Sequence, residues 1–107
     1  MHTNRKEQLE RLIVENPNDT FVLFALAKEY QKENDFEKSV QLFEKLLVVD
    51  RKYIGAYYHL AKTYEQLNEV KKALNIYEAG ISVAQELNNQ HALSELKNAK
   101  LNLEIEM

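Results

Sequence analysis

A 34-residue stretch of this chain occurs twice in tandem, as residues 20–53 and 54–87. Its clearest trace is Leu26-Ala27-Lys28-x-Tyr30, which returns as Leu60-Ala61-Lys62-x-Tyr64. Overlaid at offset 34, the two copies agree at eight positions, among them Asn34/Asn68, Lys38/Lys72, Glu44/Glu78 and Val49/Val83. Many other pairs keep size or polarity: Val40/Leu74, Leu42/Ile76, Phe43/Tyr77, Leu47/Ile81 and Ser39/Ala73. A fixed period of this length means that one supersecondary unit is stacked on a copy of itself, because a single unit cannot bury its apolar face alone.

Composition says what the unit is made of. Only two Gly and one Pro occur in 107 residues, while Leu, Glu, Lys, Ala and Gln abound, so the unit is helical. At this length one domain, 1–107, is expected. A formal net charge of −3 argues against a nucleic-acid or anionic-membrane surface, since both need a basic field. Without Cys there is no disulfide framework, no thiolate metal site and no Cys nucleophile, which fits a cytoplasmic location. Met1 to Gln8 carry no apolar core of a signal peptide. The longest apolar run, Phe21 to Ala27, is far shorter than the ~18 residues a membrane span needs. The expectation is a soluble, cytoplasmic protein with no membrane partner.

Apolar periodicity places six helices along the chain. The first spans 5–16, with Leu9, Leu12 and Ile13 on one face, and Asn16-Pro17-Asn18-Asp19 ends it. Helix A of the first repeat spans 20–33 with Leu23, Leu26, Ala27 and Tyr30 in one stripe; Asp19 or Thr20 caps it. Asn34-Asp35 breaks the chain, and helix B follows over 36–50 with Phe36, Val40, Phe43, Leu46 and Leu47 inward. The second repeat copies this at 54–67 and 70–86, around Asn68-Glu69. Both breaks place Asn where one residue near φ > 0 is needed. Asn88-Asn89 ends the second repeat, and a last helix over 90–105 turns Ala92, Leu96, Ala99 and Leu103 to one side. Glu95, Lys97, Asn98 and Glu104 on the other side make it a terminal cap with a solvated face.

These residues resemble the tetratricopeptide repeat family, whose 34-residue unit is a helix–turn–helix. That pattern asks for a large residue at repeat position 4, Leu at 7, a small residue at 8 and Tyr at 11. In helix B it asks for small residues at 20 and 27, an aromatic at 24 and Pro at 32. The first repeat supplies Leu23, Leu26, Ala27, Tyr30, Ser39 and Phe43; the second supplies Tyr57, Leu60, Ala61, Tyr64, Ala73, Tyr77 and Gly80. Small residues at 8 and 20 let helices A and B cross closely. Pro17 fits position 32 of a half-repeat made by the first helix. Three departures stand out: Leu46 at position 27, Arg51 and Gln85 at position 32, and a one-residue register slip in the last helix. The resemblance implies an all-α, right-handed solenoid of antiparallel helix pairs, two full repeats between a half-repeat helix and a capping helix.

No motif for catalysis or cofactor binding is present. His2, His59 and His91 share no ligand spacing and no HExxH pattern. There is no glycine-rich phosphate loop and no nucleophile elbow, and Glu104 with Glu106 reads as a solvated helix end. The chain is therefore expected to be no enzyme and to need no metal or cofactor. In the family, positions 2, 5, 9, 12 and 13 of helix A line a concave groove that grips peptides. That implies Phe21, Phe24, Lys28, Gln31 and Lys32 from the first repeat, and Gly55, Tyr58, Lys62, Glu65 and Gln66 from the second. Phe24 and Tyr58 share position 5 and stand as aromatic anchors, while Lys28, Lys32 and Lys62 make the groove locally positive. The family's carboxylate clamp is absent, since Phe24, Lys28 and His59 occupy its positions. The expected function is capture of a partner protein's peptide or helix, with an acidic segment as one option, by a monomer or weak homodimer. The alternatives are an assembly subunit that self-associates and an accessory subunit of an enzyme complex.

Overall fold

In the computed structural model, which describes residues 4–107, six helices follow one another: α1 (Arg5–Glu15), α2 (Thr20–Lys32), α3 (Phe36–Val49), α4 (Gly55–Gln66), α5 (Val70–Glu86) and α6 (Gln90–Glu106). His2 lies outside the described residues. Each helix packs against the next, and the A helices also touch across one repeat, α2 against α4 and α4 against α6. The stack is elongated, 47 × 28 × 20 Å.

Local chemistry sets the turns. Asn34, Asn68 and Asn88 have φ of 64°, 60° and 53°, the left-handed conformation that Asn tolerates better than most residues. After each one the chain doubles back: the Asp35, Glu69 and Asn89 N–H groups donate to the carbonyls of Tyr30, Tyr64 and Ala84, each at 2.9 Å. This is the Schellman ending of a helix, which satisfies carbonyls that the helix itself leaves open. Asp19, Asp35 and Asn89 then cap the helices that follow, accepting from the N–H groups of Val22, Lys38 and Ala92. Glu69 starts α5 without a side-chain cap. The α5–α6 turn thus has the chemistry of the turns inside a repeat, not of the longer 50–54 connection between repeats. α5 runs to Glu86, three residues past the end of α3 carried forward by 34, and the 87–89 link is two residues shorter than 50–54, so α6 starts one residue late and leaves the 34-residue register.

At the close crossings, Ser39, Ala27, Ala61 and Ala73 are fully enclosed, and the Ser39 hydroxyl donates to the Ala27 carbonyl at 2.9 Å. Gly80 is tighter still: a Cβ there would stand 2.7 Å from the Tyr57 Cβ and 3.0 Å from the Leu96 Cδ1. The main core runs through Leu23, Phe43, Leu46, Tyr57, Leu60, Tyr77, Leu96 and Leu103. A smaller cluster of Leu9, Val22, Ala25, Leu26 and Tyr30 lies under α1. Two expectations need correcting. Leu12 is 45% exposed, because among the described helices α1 packs on α2 alone. On α6 the stripe of Leu96, Ala99 and Leu103 is buried as expected, yet the outer side exposes Leu101 and Ile105 beside the polar residues.

Tyrosines latch neighbouring helices. The Tyr30 hydroxyl donates to the Glu10 carboxylate at 3.3 Å, and Tyr64 donates to Glu44. These are the same repeat positions, one unit apart, linking an A helix to the B helix before it. Tyr77 donates to Glu65 across the α4–α5 pair.

Candidate functional site

The A-helix face holds the ten groove residues in two unlike halves, with Gly55 of the second beside the Phe24 ring. The first repeat's five residues, Phe21, Phe24, Lys28, Gln31 and Lys32, line one concavity of about 500 Å³ together with Arg5, Ala25 and Glu29. Tyr58, Lys62, Glu65 and Gln66 lie outside it, one repeat further on.

Phe21 is 64% exposed at the mouth. Phe24 is half-buried: its ring stands edge-on to Phe43 at 6.0 Å and against Tyr53 at 5.2 Å and His59 at 5.6 Å. It therefore seals the seam between the repeats and presents only part of its ring to the groove. Phe24 and Tyr58 are joined through His59, whose ring stacks on Phe43 and meets Tyr58 edge-on at 5.6 Å. Burial, with Lys28 nearby, holds the His59 pKa below the ordinary histidine value. This imidazole is therefore neutral at physiological pH and serves as an aromatic spacer.

The lysines repeat a local geometry. Lys28 Nζ lies 5.5 Å from the Phe24 ring centre, and Lys62 Nζ lies 5.7 Å from that of Tyr58, each one turn along its helix. Their electrostatics differ, however. Lys62 has Glu65 at 3.8 Å, whereas among the described residues no carboxylate comes within ion-pair distance of Lys28 or Lys32. The acid of the concavity, Glu29, is engaged by Arg5 at 3.1 Å. Positive charge is therefore concentrated in the first-repeat half.

Two groove residues are tied into the fold. The Gln31 amide donates to the His59 carbonyl at 3.2 Å and to Thr63 Oγ1 at 2.8 Å, clamping α2 to α4. Glu65 accepts from Tyr77, while Gln66 is exposed. Arg5 and Glu29 were missed from the sequence. Their pairing joins α1 to α2 outside the repeat period, so nothing at offset 34 signals it. Among the described residues no group of three or more His, Asp or Glu side chains is arranged to hold a metal ion, and no helix is long and apolar enough to cross a membrane.

Comparison with known proteins agrees with the repeat fold. The tetratricopeptide repeat family model matches residues 30–99. A tetratricopeptide repeat domain from Salinibacter ruber, solved by NMR, is 44% identical over 83% of this chain and 90% of its own, with a TM-score of 0.78. The TPR2B domain of yeast Sti1, in a complex described as containing pHsp70, superposes with a TM-score of 0.88 at 19% identity, over 95% of this chain and 82% of that one. PcrH, solved with the chaperone-binding region of PopD, has a TM-score of 0.88 at 13% identity, over 94% and 77%. These two show the shared fold alone. No curated protein matches the sequence. The chain belongs to the tetratricopeptide repeat family.

Proposed function

We propose that this chain is a non-catalytic protein-interaction module, acting in the cytoplasm, that captures an extended peptide or helix of a partner protein along its A-helix groove. The observation that carries this reading is the concavity at Phe21, Phe24, Lys28 and Lys32. It combines exposed aromatic surface with two lysines that have no carboxylate partner among the described residues, and contiguous apolar surface rimmed by charge is how an interaction site appears on a protein. Its sign favours a partner segment with acidic residues beside an apolar anchor. Tyr58, Lys62, Glu65 and Gln66 extend the track across the second repeat. Two proteins of the same fold, Sti1 TPR2B and PcrH, were solved in complexes described as containing pHsp70 and the chaperone-binding region of PopD, which supports the class of function. Phe24 and His59 stand where the family's carboxylate clamp has polar side chains, so the reading does not extend to chaperone C-terminal tails.

Affinity purification from the native cell with mass spectrometry supplies the partner, and calorimetry then tests the groove. Tyr58→Ala is expected to cost ~1–3 kcal/mol of affinity with helical content unchanged. Lys28→Glu combined with Lys32→Glu is expected to slow association most at low salt, since rim charges act on encounter. Wild-type binding by both variants would move the site off this groove.

A further inference from the structure

The outer face of α6 is not uniformly polar. Leu101 is 54% exposed and Ile105 71% exposed. They lie one turn apart, opposite the buried stripe of Leu96, Ala99 and Leu103, and Glu104 and Glu106 stand exposed beside them. At the other end of the stack α1 and α3 do not pack together, and the space between them is an apolar cleft of about 470 Å³. Its floor and walls include Leu26, Leu42, Ile13 and Val14, with Lys38 and Lys45 on the α3 wall. Val14 is 79% exposed.

We infer that a second copy of this chain fills the cleft, laying its α6 between α1 and α3. Leu101 and Ile105 form the ridge that enters, and Glu104 and Glu106 meet Lys38 and Lys45. Three features choose a second copy as the occupant. One surface is an apolar helical ridge and the other an apolar trough, the shapes of helix-in-groove recognition. The α3 wall and the ridge carry opposite charge, while Glu10 on the α1 wall accepts from the Tyr30 hydroxyl: Lys45 and Glu106 have no ion-pair partner within the chain, among the described residues. Both surfaces belong to the same chain, at opposite ends of its long axis. Such a contact is heterologous, so each copy keeps one free ridge and one free trough, and association extends head to tail. Two ridge side chains bury less than the ~1,600 Å² of a standard interface, which makes the association weak and concentration-dependent. No residue of the Lys28–Phe24 concavity takes part, so this inference stands or falls separately from the proposed groove.

Sedimentation over a concentration series tests it on the full chain. Wild type is expected to grow beyond a dimer as concentration rises. The ridge variant Leu101→Glu/Ile105→Glu and the trough variant Val14→Glu/Lys45→Glu change exposed residues. Each is expected to weaken association about tenfold or more, the effect of removing an interface anchor, with circular dichroism unchanged. Mixed in equal amounts, the two variants retain one intact ridge and one intact trough between them, so they form a one-to-one dimer that grows no further. A wild type that stays monomeric throughout overturns the inference. So does a trough variant that associates like wild type, or a mixture that fails to dimerise, which would point to an α6-to-α6 contact instead.

Discussion

Gly80 fixes how closely α4 and α5 approach. In an exposed helix, Gly→Ala gains about 1 kcal/mol of helix propensity. Here the new methyl would meet the Tyr57 Cβ at 2.7 Å, an atom next to the backbone that cannot swing away. Overpacking of this kind costs ~1–3 kcal/mol, so Gly80→Ala is expected to lower the denaturation midpoint despite its better propensity. An unchanged or raised midpoint would show that the helices separate freely. The first repeat solves the same position differently. Leu46 replaces the glycine and Leu23 replaces the tyrosine, and both are fully buried. A smaller side chain on helix A leaves room for a larger one on helix B. In sequence Leu46 looks like a departure; with Leu23 it reads as a compensated pair, which is apparent only once the two helices are seen to face each other.

At the scale of elements, turns and latches respond to different tests. Asn68 sits at φ 60° with its N–H bonded back into α4. Asn68→Ala is expected to cost ~1–2 kcal/mol for the left-handed backbone, while Asn68→Gly should stay within ~1 kcal/mol of wild type. Urea midpoints of the two variants decide this, and equal losses would mean that the Asn side chain, not its backbone, holds the turn. The tyrosine latches have a pH signature. Burial first, then the Glu44 hydrogen bond, raises the Tyr64 pKa above the ordinary phenol value, and burial with Glu65 does the same for Tyr77. Because the folded value lies above the unfolded value of ~10, their contribution is whole below that pH and is lost as pH rises past it. Stability should therefore fall in alkali, and Tyr64→Phe should be less stable than wild type near neutrality while showing a shallower alkaline decline. Denaturant titrations between pH ~8 and ~11 measure both slopes; parallel curves would remove Tyr64 from the effect. The asparagine turns are legible in sequence because they are local and recur at offset 34. The latches are not, since they run between helices through long side chains whose direction the period does not fix. The groove is legible in part for the same reason. Its residues follow from the repeat, but Arg5 closing over Glu29 and Gln31 tying α2 to α4 are contacts between units.

Over the whole molecule, the two ends of the stack are held unequally. Among the described residues α1 contributes one buried apolar side chain, Leu9, to a small cluster whose buried members all come from α1 and α2, with Leu42 of α3 packed against it. The capping helix contributes Leu96, Ala99 and Leu103 to the main core that runs through α2 to α6. At ~1.5–3 kcal/mol for each large apolar side chain buried, loss of α6 removes the larger share. It also uncovers Gly80, Val83 and Ala84, which are enclosed on α5. Stability in a repeat stack is close to a sum of unit and nearest-neighbour terms, so opening should begin at the weaker end. Removing residues 1–16 is therefore expected to lower the melting temperature modestly and leave a helical, cooperative core, while removing 90–107 should cost more and expose surface that associates. Native-state hydrogen exchange on the intact chain gives the same ordering without truncation: amides of α1 exchange first, and those at the centres of α4 and α5 last. Slower exchange in α1 than in α6, together with a larger loss on removing residues 1–16, would reverse this order and make α2, not α5, the helix whose exposed face limits the stack.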